Sequence, residues 1–161
     1  MLGMERVVVF CFGEGGHAAQ ANRLAKLLLP ELLGFRVVTV SDDVRQPAWS
    51  DKHYEVVELR SKHSHWETLT NNSLVRISRV LRSVGQSESV KVVVSTGPGI
   101  GVVAGIYFKL KGCKVIHIET WSRFKTRSFT GRIMYLLSDR FYVQNESLLT
   151  FYPHAVYAGT L

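Results

Sequence analysis

Short runs of β-branched and other apolar residues alternate with stretches of helical periodicity along the whole chain. Residues 6–12 are apolar after the first position, which is typical of a strand that is covered on both faces. Residues 17–33 carry apolar side chains at helical spacing, and residues 36–40 form a second apolar run. Strand–helix–strand units of this kind build parallel sheets with right-handed crossovers. The sequence therefore predicts an α/β fold, with a parallel sheet and helices on both faces.

The same alternation continues to the end of the chain. Further helices are predicted over residues 69–84, 100–110, 129–137 and 145–152, and further strands over residues 54–59, 91–95, 114–118, 140–144 and 155–157. Residues 85–89 are predicted to break the second helix, and residues 60–65 to form a basic loop in which His63 and His65 are surface residues rather than metal ligands. Since no repeat, linker or low-complexity segment interrupts the pattern, we expect residues 1–161 to form one domain.

A formal net charge of +7 favours partners that are polyanions: nucleic acid, anionic lipid headgroups or phosphorylated substrates. No recognisable nucleic-acid-binding motif accompanies the charge, so we expect no nucleic-acid partner. No run reaches the roughly 18 apolar residues of a spanning helix, so any membrane contact is expected to be peripheral. Cys11 and Cys113 lie in or beside apolar runs without metal-ligand spacing, which predicts buried thiols, no disulfide and no metal site.

Two glycine-rich turns each follow a predicted strand and open a predicted helix. The first contains Gly13, Gly15 and Gly16, and the second contains Gly97 and Gly99. Glycine lets the backbone approach a ligand closely, and the free N–H groups at a helix start attract anions. Together the turns predict a binding site for a phosphate or diphosphate, although each also suits an ordinary tight connection.

The first turn has a second interpretation. Gly13, Gly15 and Ala18 satisfy a dinucleotide-binding fingerprint, and Asp42 follows the second strand where a ribose-binding acid belongs. This alternative predicts an NAD(P)-binding oxidoreductase. Glu14 argues against it, because it places a negative charge within the loop, and no hydride-transfer site is recognisable downstream.

Two titratable residues are candidates for catalysis, one at the start of a predicted helix and one at the end of a predicted strand. His17 opens the first helix, where an imidazole can act as a general base or donate to a phosphate. Glu119 ends the strand of residues 114–118, where it can act as a base or bind a sugar hydroxyl. Its alternative role is that of an ion-pair partner for Arg123 or Lys125.

Basic residues are concentrated in two segments. Arg76, Arg79 and Arg82 recur at spacings of three along one side of a predicted amphipathic helix. Between residues 121 and 127, aromatic and basic side chains alternate, as they do at membrane interfaces. We expect anionic lipid to contact Arg76, Arg79, Arg82, Phe124, Lys125 and Arg127; the alternative is core aromatics with solvated charges between them.

These motifs occur together in one known family. The residues of both glycine turns, the run from Ile116 to Arg123, the segment 128–131, and the segments 142–144 and 152–157 resemble the membrane-anchoring, acceptor-side subunits of split glycosyltransferases. The eukaryotic members serve the N-acetylglucosamine transferase of dolichol-linked oligosaccharide synthesis. The bacterial members serve capsule and exopolysaccharide assembly. The resemblance extends over nearly the whole chain, in the right order.

The resemblance implies a Rossmann-like domain that is the amino-terminal half of a GT-B glycosyltransferase. Such a chain binds the lipid-diphosphate-sugar acceptor, holds no cofactor and is inactive without a small partner that binds the UDP-sugar donor. It implies a catalytic role for His17 or Glu119 and partner contacts by Tyr157, Gly159 and Leu161. The implied acceptor-binding residues are Gly13, Gly15, Gly16, Thr96, Gly97, Gly99, Trp121 and Arg123.

Two features refine this expectation. The eukaryotic members begin with a spanning helix that does not occur here, which favours the bacterial branch, an undecaprenyl-diphosphate acceptor and a peripheral location on the cytoplasmic face of the plasma membrane. Glu14 and Ala18 replace hydroxyl residues that are frequent in the family, which weakens the case for direct phosphate contact there. A non-catalytic membrane scaffold that recruits the transferase is a further alternative.

Overall fold

The computed structural model describes residues 5–56 and 71–161, without the side chains of residues 71 and 72. The predicted basic loop of residues 60–65 and the predicted strand positions 57–59 lie outside these described residues. The strands are β1 (Arg6–Phe12), β2 (Phe35–Ser41), β3 (Lys52–Glu55), β4 (Ser89–Gly97), β5 (Lys114–Ile118), β6 (Arg140–Val143) and β7 (Val156–Tyr157). The α-helices are α1 (Gly16–Leu28), α2 (Asn71–Ser87), α3 (Gly99–Leu110) and α4 (Phe129–Leu137).

The strands form one seven-stranded sheet in the order β3-β2-β1-β4-β5-β6-β7, and every pairing is parallel. Alternate side chains of β1 pack into hydrophobic cores on opposite faces of the sheet, which explains why its apolar run is unbroken. Val8, Phe10 and Phe12 pack with α1 on one face of the sheet. Val7, Val9 and Cys11 pack with α2 and α3 on the other face, and α4 packs there beside α3. The predicted fold, a Rossmann-like parallel sheet with helices on both faces, is confirmed.

The strand order places a topological switch point between β1 and β4. From β1 the chain continues into α1 on one face of the sheet, whereas from β4 it continues into α3 on the other face. In open α/β sheets, the crevice that such a divergence leaves at the carboxyl ends of the strands is where ligands bind. Both glycine-rich turns lie at this crevice.

Helix α2 differs from its prediction at the carboxyl-terminal end. It runs through Gly85 to Ser87 instead of breaking there. A Cβ atom at Gly85 would lie 3.0 Å from the Tyr107 hydroxyl oxygen of α3. This glycine therefore serves the close packing of two helices, and tertiary contact outweighs its low helix propensity.

Other boundaries shift by a few residues. Helix α1 ends at Leu28 and is followed by a 3₁₀-helix, Leu29–Glu31, because Pro30 provides no N–H for the α-helical ladder. β3 occupies Lys52–Glu55, earlier than the predicted strand at 54–59. The predicted helix over residues 145–152 is a shorter 3₁₀-helix, Glu146–Thr150. Among the described residues, no helix is both long enough and apolar enough to span a bilayer.

Candidate functional site

The two glycine-rich turns are joined directly by hydrogen bonds. The Gly13 N–H donates to the Gly97 carbonyl oxygen at 3.0 Å. His17 Nδ1 lies 2.7 Å from the Thr96 carbonyl oxygen, and the Thr96 hydroxyl donates to the His17 carbonyl oxygen at 3.2 Å. The start of α1 and the end of β4 are therefore held as one unit, which brings together four of the residues that the sequence nominated.

Two glycines are required by this contact. A Cβ atom at Gly13 would lie 2.5 Å from Cδ of Pro98, closer than real side chains approach. Gly97 has φ of +88°, and a Cβ there would lie 3.0 Å from Cε1 of the His17 ring. The Gly97–Pro98 peptide bond is cis. Both glycines let one turn approach the other.

Gly16 has a different environment. Its φ is not positive, and no atom lies within 4 Å of the position of an added Cβ. Neither backbone conformation nor packing within the described chain explains a glycine here. The space beside the first residue of α1 is open, as a site for a ligand at a helix start requires.

The amino terminus of α1 is not capped by a side chain. Gly15 occupies the N-cap position, with φ of +68°. The first N–H groups of a helix have no acceptor within it, and they carry the positive end of the helix dipole. The preceding turn is held by Asp42, whose carboxylate accepts from the Glu14 N–H at 2.7 Å. The arrangement favours an anion beside Gly15 and Gly16.

The hydrogen bond of His17 determines which of its nitrogens is protonated. A carbonyl oxygen can only accept, so Nδ1 of His17 is the donor to Thr96. In the neutral ring, Nε2 then carries the lone pair and can accept a proton. A fixed imidazole of this kind at the mouth of a crevice has the geometry of a general base.

A second histidine, His117 of β5, lies beneath the site. It is 1% exposed, its Nδ1 is 3.2 Å from the Ser95 hydroxyl, and its ring packs on Phe141 with centroids 5.3 Å apart. Burial, with a smaller contribution from His17, lowers the pKa of His117 to about 3. His117 is therefore a neutral core residue at physiological pH.

Glu119 directs its carboxylate into the protein. It is 2% exposed and accepts from the Ser128 hydroxyl at 2.9 Å, the Tyr152 hydroxyl at 2.9 Å and the Thr120 N–H at 3.0 Å. Ser128 also caps α4 by accepting from the Gly131 N–H at 2.7 Å. Burial, then the charge of Glu119, raises the pKa of Tyr152 well above its usual range. The alternative in which Glu119 pairs with Arg123 or Lys125 is wrong: no such ion pair occurs among the described residues.

Side chains that follow β6 hold the backbone of the loop that follows β5. Asn145 donates to the carbonyl oxygens of Trp121 at 2.9 Å and Arg123 at 2.6 Å, and Ser147 donates to that of Phe124 at 2.6 Å. The backbone is thereby fixed while the side chains of Arg123 and Phe124 stay exposed. Phe124 is 57% exposed, so the alternative of a core aromatic does not hold for it.

The last residues of the chain fold back onto the site. Gln144 accepts from the Leu161 N–H at 2.9 Å through its side-chain oxygen, and its amide nitrogen donates to the Glu119 carbonyl oxygen at 2.9 Å. Arg23 of α1 donates to the Leu161 carbonyl oxygen at 2.8 Å and stacks over the Trp121 ring at 4.9 Å. Leu161 packs partly into the core beneath α1, while Tyr157 is 44% exposed. The segment thus connects to both the Trp121 loop and α1.

Several residues of this network were given no site role by sequence reasoning, although Ser128, Gln144 and Tyr152 lie in segments that resemble the family. Ser128 precedes a helical run and was detectable as an N-cap. Gln144 ends a strand in the same way as Glu119. Gln20, Arg23 and Tyr152 gave no local signal, because their partners lie far away in the sequence. Gln20 is fully buried, donates weakly to the Glu119 carbonyl oxygen at 3.4 Å and has no partner for its own side-chain oxygen among the described residues.

Both cysteines are buried and free, as predicted. Burial raises the pKa of the Cys11 thiol to about 12, so it stays protonated. Within residues 5–56 and 71–161, no three His, Cys, Asp or Glu side chains lie together as a metal site.

Comparison with known proteins gives the family. The family described as "Oligosaccharide biosynthesis protein Alg14 like" matches residues 7–161, which is nearly the whole chain. The chain belongs to the Alg14-like family. The UDP-N-acetylglucosamine transferase subunit ALG14 of Kluyveromyces lactis is 28% identical over 98% of this chain and 80% of that protein. The corresponding subunit of Schizosaccharomyces pombe is 27% identical over 96% of this chain and 82% of that protein.

Solved structures confirm the architecture of this Alg14-like chain. MurG of Acinetobacter baumannii superposes with a TM-score of 0.62 at 15% identity, over 98% of this chain and 44% of MurG. The UDP-N-acetylglucosamine 2-epimerase of Rickettsia bellii gives a TM-score of 0.63 at 14% identity, over 98% and 45%. The chain thus spans less than half of the length of each of these proteins. Its fold is that of one Rossmann-like half of a GT-B architecture.

Proposed function

We propose that this Alg14-like chain is the acceptor-binding subunit of a two-component glycosyltransferase. The observation that carries the proposal is the pair of glycine turns clamped together at the switch point, beside an α1 amino terminus that no side chain caps. This geometry suits the diphosphate of a lipid-diphosphate-sugar. Gly15 and Gly16 would provide backbone N–H groups to it, with Thr96, Gly97 and Gly99 forming the opposite wall.

The reacting hydroxyl of the acceptor needs a base when it attacks the donor sugar. His17 is our candidate, because its Nδ1–H bond to Thr96 leaves Nε2 as the proton acceptor. Glu119 is the second candidate, although its carboxylate already accepts from Ser128, Tyr152 and Thr120. We therefore favour His17. Trp121 and Arg123, on the loop beyond β5, would contact the acceptor sugar.

The UDP-sugar donor would be bound by a separate partner. The relatives in Kluyveromyces lactis and Schizosaccharomyces pombe are both named as transferase subunits, which supports a partner of this kind. Tyr157, Gly159 and Leu161 are the proposed partner contacts, and Tyr157 lies exposed on the edge strand β7.

We extend the proposal to its setting. The motif resemblance favours bacterial capsule or exopolysaccharide assembly, with an undecaprenyl-diphosphate-sugar acceptor at the cytoplasmic face of the plasma membrane. This setting predicts that the undecaprenyl-diphosphate-linked sugar, rather than the dolichyl-linked one, is the acceptor that reacts. A panel of UDP-sugars, tested with undecaprenyl- and dolichyl-diphosphate-linked acceptors, distinguishes it from the eukaryotic pathway.

The test is reconstitution of the pair. The chain is co-expressed with the small protein encoded beside its gene, purified by a tag on one component and assayed for sugar transfer to the lipid-diphosphate-sugar. We expect a stable pair that is active where neither chain alone is active. A failure to form a pair, with no transfer by any combination, contradicts the proposal.

Variants of the cleft test its chemistry. Gly16→Ala adds a methyl group in open space, so the fold should tolerate it. Because the methyl group would occupy the space proposed for the diphosphate, KM for the acceptor should rise roughly tenfold to a hundredfold, the effect of losing one hydrogen bond to a charged group. His17→Ala should lower kcat about a hundredfold. His154→Ala changes an exposed histidine away from the crevice and serves as the matched control.

The alternative of a non-catalytic scaffold makes the opposite prediction for these variants. If the chain only recruits the transferase, Gly16→Ala and His17→Ala leave turnover near the wild-type value, whereas Tyr157→Ala abolishes it by separating the pair. Near-wild-type kcat in His17→Ala together with a large loss in Glu119→Gln would instead move the base to Glu119. Thermal unfolding of each variant shows whether a loss of activity reflects a loss of fold.

A further inference from the structure

The carboxylate of Glu119 joins the two ends of the loop between β5 and α4. This loop comprises residues 120–128, and we refer to it as the β5–α4 loop. At its start, the Thr120 N–H donates to Glu119 Oε1 at 3.0 Å. At its end, the Ser128 hydroxyl lies 2.9 Å from each carboxylate oxygen. A single side chain that precedes the loop therefore closes it at its base.

The same carboxylate is fixed at the amino terminus of α4. The Ser128 hydroxyl accepts from the Gly131 N–H at 2.7 Å, so it serves the helix cap and the carboxylate together. Tyr152, which is fully buried, donates to Glu119 Oε2 at 2.9 Å. Gly131 has no positive φ, but a Cβ atom there would overlap the carboxylate. The first turn of α4 therefore has a glycine where Glu119 needs the space.

Hydrophobic burial does not order the β5–α4 loop. Residues 122–127 are all exposed, so their side chains contribute no apolar core. Fixing the backbone of an exposed segment costs conformational entropy that polar contacts have to offset. Asn145 and Ser147 hold the middle of the loop through its carbonyl oxygens, and Glu119 holds its two ends. The conformation of this loop thus rests on hydrogen bonds.

Glu119 is an expensive residue to use for stability alone. Its carboxylate is 2% exposed and forms no ion pair among the described residues. Moving a charge out of water costs free energy that hydrogen bonds only offset, and apolar side chains often stabilise a core equally well. A carboxylate adds geometry, because its two oxygens hold separate segments at fixed distances. Its presence here indicates that the position of the loop matters.

We infer that Glu119, together with Ser128 and Tyr152, positions the β5–α4 loop for the acceptor and takes no proton in the transfer. The inference rests on the proposed function, in which Trp121 and Arg123 of this loop contact the acceptor sugar. It deepens that function by removing Glu119 from the candidates for the base. A loop that is ordered before binding loses less conformational entropy when its ligand arrives. Both carboxylate oxygens already accept from buried or half-buried donors, so Glu119 acts through the loop.

Steady-state kinetics of the reconstituted pair separate positioning from proton transfer. Tyr152→Phe and Ser128→Ala each remove a hydroxyl that holds the carboxylate. We expect both to raise KM for the lipid-diphosphate-sugar roughly tenfold and to lower kcat by less than about threefold, because the loop has to be ordered on binding. Glu119→Gln should show the same pattern. In all three variants, kcat/KM should keep the pH dependence of the wild type.

The chain offers a matched control for each hydroxyl. Tyr135 belongs to the same aromatic cluster as Tyr152, but its hydroxyl accepts from the His154 N–H. Ser138 follows the other end of α4, where its hydroxyl donates to the Met134 carbonyl oxygen at 2.6 Å. We expect Tyr135→Phe and Ser138→Ala to keep the wild-type KM. Thermal unfolding of every variant defines an assay temperature at which all of them are folded.

The isolated chain provides a second measurement that needs neither partner nor acceptor. Its three tryptophans are replaced by fluorotryptophan, and each fluorine resonance is assigned by a single substitution to Phe. We expect Tyr152→Phe and Ser128→Ala to shift or broaden the resonance of Trp121. The resonance of Trp49, which packs against β1, should stay unchanged. The two control variants should leave both resonances as they are in the wild type.

Two results would overturn the inference. One is a large loss of kcat or an altered pH dependence in Glu119→Gln that Tyr152→Phe and Ser128→Ala do not share, since Glu119 would then take the proton. The other is a Trp121 resonance that is identical in the wild type and in all three variants, since the loop would then be ordered without the carboxylate. If the pair is inactive, the proposed function fails, while the fluorine spectra still decide whether Glu119 holds the loop.

Discussion

The buried carboxylate of Glu119 makes a quantitative prediction for Tyr152→Phe. The substitution removes one hydroxyl, which donates to Glu119 at 2.9 Å, and keeps the ring that packs on Phe141 with centroids 4.7 Å apart. A hydrogen bond to a charged, buried group contributes roughly 1.5–3 kcal/mol. We therefore expect a loss of about 2 kcal/mol in the free energy of unfolding. For a chain of this length, that is a decrease of roughly 4–8 °C in Tm.

Tyr135→Phe is the control for this experiment. Tyr135 belongs to the same aromatic cluster, but its hydroxyl accepts from the exposed His154 N–H at 2.9 Å. A bond between neutral groups that water can replace contributes about 1 kcal/mol or less. Urea unfolding of both variants, under the same conditions, compares the two bonds directly.

A double-mutant cycle with Glu119→Gln separates the bond from other effects of the substitution. The amide is uncharged, so Tyr152→Phe should cost about 1 kcal/mol less in that background than in the wild type. If Tyr152→Phe costs no more than Tyr135→Phe, or if the cycle is additive, the reasoning that Tyr152 stabilises a buried charge is refuted.

Three further predictions follow from the same contacts. Gly131→Ala should lower the free energy of unfolding by roughly 1–3 kcal/mol, because its methyl group would contact the Glu119 carboxylate and lie 2.6 Å from the Tyr152 hydroxyl; urea unfolding measures it, with Gly16→Ala as a neutral control. The pKa of His117 is lowered from 6.5 in the unfolded chain to about 3 in the fold, because burial favours the neutral ring. The free energy of unfolding should therefore be highest above pH 6.5 and fall by ~1.4 kcal/mol per pH unit between pH 6.5 and pH 3. Unfolding titrations should show that this loss is absent in His117→Gln. Arg23→Ala removes the contacts to Trp121 and to the Leu161 carbonyl oxygen, and hydrogen exchange at Thr160 and Leu161 should accelerate roughly fivefold, whereas Lys26→Ala on the same helix should leave it unchanged.

The candidate site was predicted from the sequence in part. Local pattern was enough to nominate Gly13, His17 and Gly97, because each follows a strand and opens a helix. Pattern did not show that the two turns bind each other through Thr96, since strand order brings β4 beside β1 only in the folded sheet. The catalytic roles of His17 and Glu119 stay predictions.

Glu119 illustrates what a sequence pattern leaves open. Its position at a strand end predicted a group that faces the crevice, but its carboxylate faces Ser128 and Tyr152 instead. These partners lie 9 and 33 residues away in the chain. No local periodicity encodes such distances, so the direction of a side chain at a strand end follows from tertiary packing.

The sequence by itself determined the order and type of the elements, because apolar runs and helical spacing reflect which faces each segment can bury. β1, α4 and the carboxyl-terminal limit of β5 agree with those patterns to the residue. Tertiary structure alone decided how far α2 continues beyond Gly85, which histidine is buried and which helices share an outer surface. These depend on groups that meet only after the sheet has formed.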